Sequence, residues 1–161
     1  MTHTSEPEKI DSKDFFTAKT VALFTKRINN LSPNSKRAWG TMSPDQMLHH
    51  LNLACGSSLG YFNLPDESTF STRTVGKWLL VDLLPNMPKG LKMPVGFAIP
   101  SKEHFDFEKE RALLLEIINK ASNSKSTDSW TPHVAFGHLS KKQWSKLLTK
   151  HIDYHLRQFG V

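Results

Sequence analysis

Among 161 residues, eight are histidines, and their spacing is the first sign of chemistry. His151 and His155 stand four apart in a stretch that repeats with helical periodicity, so both imidazoles project from one side, one turn apart. Such a pair can grip a single divalent metal. They lie near the middle of an apolar stripe formed by Trp144, Leu147, Leu148, Ile152 and Phe159. An earlier helix offers a third donor. His50 flanks its apolar set Met47, Leu48, Leu51, Ala54 and Cys55, whereas His49 points nearly the opposite way and is expected to face water. Three neutral imidazoles from two helices leave a divalent metal with open positions, which is the signature of a reactive rather than a structural site. The same spacing also fits histidines that are simply hydrogen-bonded core residues, and sequence does not separate the two readings.

The other candidates are weaker. His133 and His138 flank Phe136-Gly137 ahead of the last helix. Either can orient a ligand, join as a fourth ligand or merely occupy a loop, with the loop reading favoured for His138. His3 and His104 receive no role. Cys55 lies five residues after His50, on another side of the helix, and reads as a small buried apolar residue rather than a nucleophile. There is no GxSxG elbow, no phosphate-binding glycine loop and no paired-carboxylate arrangement.

Five segments must position these residues, all with helical patterning, and no segment makes a convincing strand. The first spans about Asp14 to Asn30, with Val21, Phe24, Ile28 and Leu31 on one face. The second starts at the capping signal Ser43-Pro44-Asp45-Gln46 and runs to about Leu59, before Gly60. A short apolar helix covers roughly Thr74 to Leu84. Four prolines between Pro85 and Pro100 then exclude regular structure from a loop that should cover or bind something. A helix from about Lys102 to Lys120 carries Leu114, Ile117, Ile118 and Ala121 on one face. The last opens at a second capping box, Ser140 to Gln143, and runs to Gln158 before Gly160. Its far face, with Lys142, Lys146, Lys150, Asp153 and Arg157, reads as a solvated charge ladder. The expected fold is an all-α helical bundle of four long helices and a short extra one, a single domain over 1–161 with residues 1–13 as a flexible tail.

Composition removes several function classes. A net charge of +6 invites a test for nucleic-acid binding, but the basic residues are strewn along the chain without a block or a recognition motif. The excess charge suits solubility and anionic small molecules. No apolar run is long enough to cross a bilayer. A single cysteine excludes a disulfide framework and points to a reducing cytoplasm. The expected partner is a small-molecule substrate, with no nucleic acid and no membrane.

The final block is distinctive. Thr131-Pro132-His133-Val134-Ala135-Phe136-Gly137, then Gln143-Trp144, then Lys150 to Gly160 (KHIDYHLRQFG), closely resembles the DUF1569 branch of the DinB-like superfamily. Arg37-Ala38-Trp39-Gly40-Thr41-Met42-Ser43 with Gln46-Met47-Leu48-His49-His50, Pro85-Asn86-Met87-Pro88-Lys89 and Asp106-Phe107-Glu108 resemble its other signatures. The resemblance covers roughly Phe24 to Val161. It implies a DinB-like four-helix bundle with a long Pro-rich crossover loop, often a homodimer. It also implies a divalent metal (Zn, Ni, Mn or Fe) held by His50, His151 and His155. Tyr154 stands where the family often has His, and Val134 where it often has Pro. Neither is a ligand position. Position 49 is usually a small residue in the family, which fits a non-ligand His49. Members of the superfamily include S-transferases and an isomerase that use a low-molecular-weight thiol such as bacillithiol, mycothiol or glutathione. The expectation is therefore a metal-dependent thiol S-transferase, with a metal-dependent hydrolase or a non-catalytic metal-binding or small-molecule-binding protein as alternatives. Trp78, Leu79 and Leu80 could supply part of a homodimer surface.

Overall fold

A computed structural model describes residues 14–161. The expected N-terminal tail and His3 lie outside these residues. All regular structure within them is helical: α1 (Ala18–Asn29), α2 (Pro44–Gly56), α3 (Phe107–Ser122) and α4 (Lys141–Gln158), with short 3₁₀ and π pieces between. The described residues contain no strand, only one isolated bridge between His133 and Gly137. None of the helices is long and apolar enough to cross a membrane.

The apolar faces read from periodicity are the ones that pack. Phe24, Ile28 and Leu31 at and beyond α1, Met47, Leu48 and Leu51 of α2, Leu114, Ile117 and Ile118 of α3, and Leu147, Leu148 and Ile152 of α4 meet in one core. Each buried side chain of this size contributes about 1.5–3 kcal/mol by leaving water. Cys55 is buried in the same cluster, and burial pushes its thiol up to about 12. The two expected capping boxes are formed. In the first, Gln46 Oε1 accepts from Ser43 N at 2.9 Å while its Nε2 donates to Glu103 O at 2.8 Å and Ser101 O at 3.2 Å. This tether, together with Phe105 N donating to Asp45 at 2.9 Å, holds residues 101–105 outside the helix. Hence α3 begins later than its apolar pattern suggests, at the Asp106 cap, whose side chain accepts from Lys109 N.

Three other expectations need correction. His49 does not face water. Asn52 and Gly56 share its side of α2 and form a groove for α3, where a Cβ on Gly56 would lie 2.9 Å from Ile117. His49 is consequently half-buried, stacked on Phe105 with centroids 3.8 Å apart and 3.1 Å from the Glu110 carboxylate. The loop between Pro85 and Pro100 is not wholly irregular, since Val95–Phe97 closes a 3₁₀ turn. Nor is the far face of α4 a solvated ladder. The short helix lies along it, wound as π-helix over Thr72–Gly76 and Trp78–Leu83, and this π segment buries Val81.

Lys150 explains how that packing is held. Its buried ammonium donates to the carbonyls of Leu80, Val81 and Leu84 at 2.7, 2.8 and 2.8 Å, using all three N–H groups to close the C-terminal end of the π segment. Burial, with Lys146 nearby, draws its pKa down to about 8 against the pull of Asp82. Asp153 is likewise engaged, at 2.8 Å from both Arg27 and Arg157. Replacing Lys150 by Ala leaves three carbonyls without their donor. It should cost about 2–3 kcal/mol in urea unfolding and speed amide exchange at Leu84. A change below about 0.5 kcal/mol, the size of a neutral surface substitution, would show that the ammonium does not hold the segment.

Candidate metal centre

Helix α2 supplies His50, and α4 supplies His151 and His155. The structure brings these three together: their donor nitrogens all lie within 4.8 Å of one another, and the ring centroids are 4.8–5.1 Å apart. His50 and His155 are buried and His151 is half-buried. The closest pair, the Nε2 atoms of His50 and His151, is separated by 3.0 Å. A tetrahedral ion with bonds of about 2.1 Å spaces its nitrogens by about 3.4 Å, a value that the trio brackets. A metal ion fits the donor set with small ring adjustments.

Two of the rings have their tautomers set by hydrogen bonds from the opposite nitrogen. His50 Nδ1 is 2.9 Å from Phe97 O, and because a carbonyl only accepts, Nδ1 carries the proton and Nε2 the lone pair. His155 Nδ1 is 3.0 Å from Gln158 Oε1. The Gln158 amide is itself oriented, since its Nε2 donates to Trp39 O at 2.7 Å, so Oε1 is the acceptor and His155 also turns a lone pair inward. With His50 Nε2 as the acceptor, His151 Nε2–H is the donor across the 3.0 Å contact, and a bound cation would take the place of that proton.

The charge state agrees with this arrangement. Burial, followed by repulsion from His155 and His50, holds His151 well below its ordinary pKa. Burial and His50 lower His155 to about 3. Burial also lowers His50, and its bond to Phe97 only partly opposes the shift. The trio therefore stands neutral, with lone pairs available, through the physiological range.

Residues to which the sequence reading gives no role at the site hold it from behind. Glu67 accepts from the backbone N–H groups of Val95 and Gly96 at 2.8 and 2.7 Å, fixing the turn whose last carbonyl meets His50. The strap after α1 fixes His155: Ala38 N donates to Gln158 O at 2.8 Å, and Trp39 Nε1 donates to Tyr154 Oη at 3.2 Å. Gly40 adopts φ +80°, and a Cβ there would lie 2.2 Å from Gln158 Nε2. Gln158 was legible as a partner, three residues after His155 on one helix face. The carbonyls of Trp39 and Phe97 carry no side-chain signal.

His133 is buried beside Phe97, Phe136 and Trp144 but does not join the trio. Its Nδ1 accepts from Ala135 N and Phe136 N at 3.1 and 3.2 Å, closing its own turn, and burial lowers its pKa to about 4. His138 is exposed on its loop, and His104 is exposed 3.2 Å from Asp45. Two clefts of about 300 and 380 Å³ lie near the start of α4 and beneath the π segment, and neither is lined by the three histidines.

The sequence family described as "Protein of unknown function (DUF1569)" matches residues 14–160, nearly the whole chain. The chain belongs to the DUF1569 family. Comparison with curated proteins and with solved structures gives no significant match. Within this DUF1569 protein the matched span contains both histidine helices and the strap that braces them.

Two outcomes follow. Gly40→Ala combines left-handed strain of about 1–2 kcal/mol with displacement of Gln158. It should weaken divalent-metal affinity about 10–100-fold while far-UV circular dichroism stays unchanged, and undiminished affinity would separate the strap from His155. The second concerns acid. Unfolded, these histidines bind protons near pH 6.5, whereas folded they resist to about 4 for His133 and about 3 for His155. The unfolded chain then binds more protons, so stability is full above about 6.5 and falls as pH drops below it. The metal-free protein should lose about 1.4 kcal/mol per buried histidine one pH unit below 6.5, and a urea midpoint flat over this range would refute neutral burial.

Proposed function

We propose that this DUF1569 protein is a divalent-metal-dependent enzyme of DinB-like four-helix-bundle type, with His50, His151 and His155 as the metal ligands. The carrying observation is the convergence of three neutral imidazoles, two of them with the Nδ1 proton committed elsewhere. The Nε2 atoms of His50 and His151 meet at 3.0 Å, and the one proton shared between them is the one that a cation would replace. No carboxylate shares the set, so the ligands contribute no negative charge and leave the full charge of the ion to act on what it binds. A divalent ion held this way lowers the pKa of a bound water or thiol toward neutrality.

The chain's own residues bind and orient. His50 and His155 present fixed lone pairs, Phe97 and Gln158 prevent their rings from turning, and the aromatic layer of Phe97, Phe136 and Trp144 borders the neighbouring His133. The reaction class is transfer of a low-molecular-weight thiol to an electrophilic small molecule in the cytoplasm. Its support is the resemblance of the histidine blocks to the DinB-like superfamily and the +6 charge, which attracts carboxylate-bearing thiols.

Untagged protein should carry about one divalent ion per chain, and His155→Ala should lose it while keeping its helical content. Metal absent and not restored by zinc, nickel or manganese would remove the proposal. Thiol consumption with an electrophile panel, with glutathione or bacillithiol present and absent, tests the reaction. Turnover without thiol would replace transfer by hydrolysis.

A further inference from the structure

His133 is a buried imidazole outside the metal-ligand set, and its own turn decides its chemistry. Ala135 N and Phe136 N both donate to His133 Nδ1, at 3.1 and 3.2 Å. A nitrogen that accepts two N–H bonds holds a lone pair, so the proton of the neutral ring sits on Nε2. Turning the ring over would break both bonds. The backbone beneath is pinned as well, by the bridge in which His133 and Gly137 exchange N–H···O bonds of 2.8 Å in each direction. His133 is therefore a committed donor at Nε2, unable to ligate a cation or to accept a proton there. Closing a turn does not by itself require this residue type. Asn and Asp do so routinely, by accepting from the N–H two residues on. What the imidazole adds is its second nitrogen.

That nitrogen's proton has no acceptor among the described residues, and the aromatic rings of Phe97, Phe136 and Trp144 beside it offer only weak π contacts. Nor is Nε2 sealed, as the unpartnered Arg27 Nε and Thr149 Oγ1 are, so it opens on space outside the protein. The three-histidine cluster is next to it. The Phe97 ring stands 5.8 Å from His133 and 6.2 Å from His50, T-shaped to both, while the Phe97 carbonyl holds His50. His133 is also close enough to His151 to add to the repulsion that keeps that ring uncharged. We infer that His133 Nε2–H binds a carboxylate oxygen of the small molecule whose other end occupies the three-histidine site. This role rests on the metal site proposed above, and it narrows the substrate to a compound with a carboxylate a few bonds from its metal-binding atom. A bond from N–H to a carboxylate is charge-assisted and strong. A ligand without that oxygen leaves the donor unpaired, and sites built around a hydrogen bond reject such analogues.

Two substitutions separate the two nitrogens. His133→Asn keeps an acceptor for the turn but removes the distal donor, whereas His133→Gln keeps a distal N–H and gives up the turn. Cobalt(II)-loaded full chain, followed by visible absorption, is titrated with mercaptoacetate through mercaptohexanoate and with the matching alkanethiols. In the wild type the best-fitting mercaptocarboxylate should bind at least about tenfold more tightly than its alkanethiol. His133→Asn should bring the pair to within about twofold, with alkanethiol affinity, cobalt content and helical content unchanged, and His133→Gln should restore most of the preference. In the metal-free wild type, nitrogen NMR should show His133 protonated at Nε2 and not at Nδ1. A loaded wild type without the preference, a preference that His133→Asn leaves intact, or an Nδ1–H tautomer overturns the role. So does a His133→Asn protein that loses cobalt or binds both kinds of thiol more weakly, since that marks a purely structural residue. A wild-type chain that takes up no cobalt removes the metal site and this role together, whereas a loaded chain without discrimination removes the role alone.

Discussion

Two hydrogen bonds fix the orientation of the three-histidine cluster: those that take the Nδ1 protons of His50 and His155. An imidazole free to choose its tautomer would point either nitrogen into the site, and a ring free to rotate would point neither. The Phe97 carbonyl and the Gln158 amide remove both freedoms. Much of the surrounding architecture serves these two acceptors. Glu67 pins the turn that ends in Phe97, and the strap from Ala38 to Gly40 grips Gln158 from two sides. Metal-binding histidines commonly depend on such partners for ring orientation and basicity.

The cost of this arrangement falls on stability. Three imidazoles in one dry space cannot charge, and each withheld proton disfavours the folded chain in acid. The rest of the core must offset this, and it does so with conventional packing of four apolar faces.

Helical periodicity made most of the framework legible, because burial of one face requires it. The faces of α2, α3 and α4 pack as their patterns predict, and both capping boxes form. The three histidines could be selected because each lies on or beside such a face. What periodicity does not carry is the identity of neighbours. His49 reads as solvent-facing because nothing in its own helix shows that α3 covers it through Asn52 and Gly56. Lys150 looked like a surface charge because the carbonyls it caps lie about 70 residues earlier, in a segment whose winding departs from the α period. The acceptors behind the site are backbone atoms, and every residue type has those. Gly40 stands between the cases: the glycine is visible in the sequence, but the reason for it, the amide of Gln158 in the space of a side chain, is not.

Cys55 carries a consequence for any assay in which thiols are counted. Sealed in the core with its ionisation displaced to about 12, it offers almost no thiolate at neutral pH. Sulfhydryl lost from a mixture of intact protein and an added thiol therefore comes from the added thiol. The silent cysteine becomes a built-in reporter of global opening, since an alkylating reagent labels it only when the helices part.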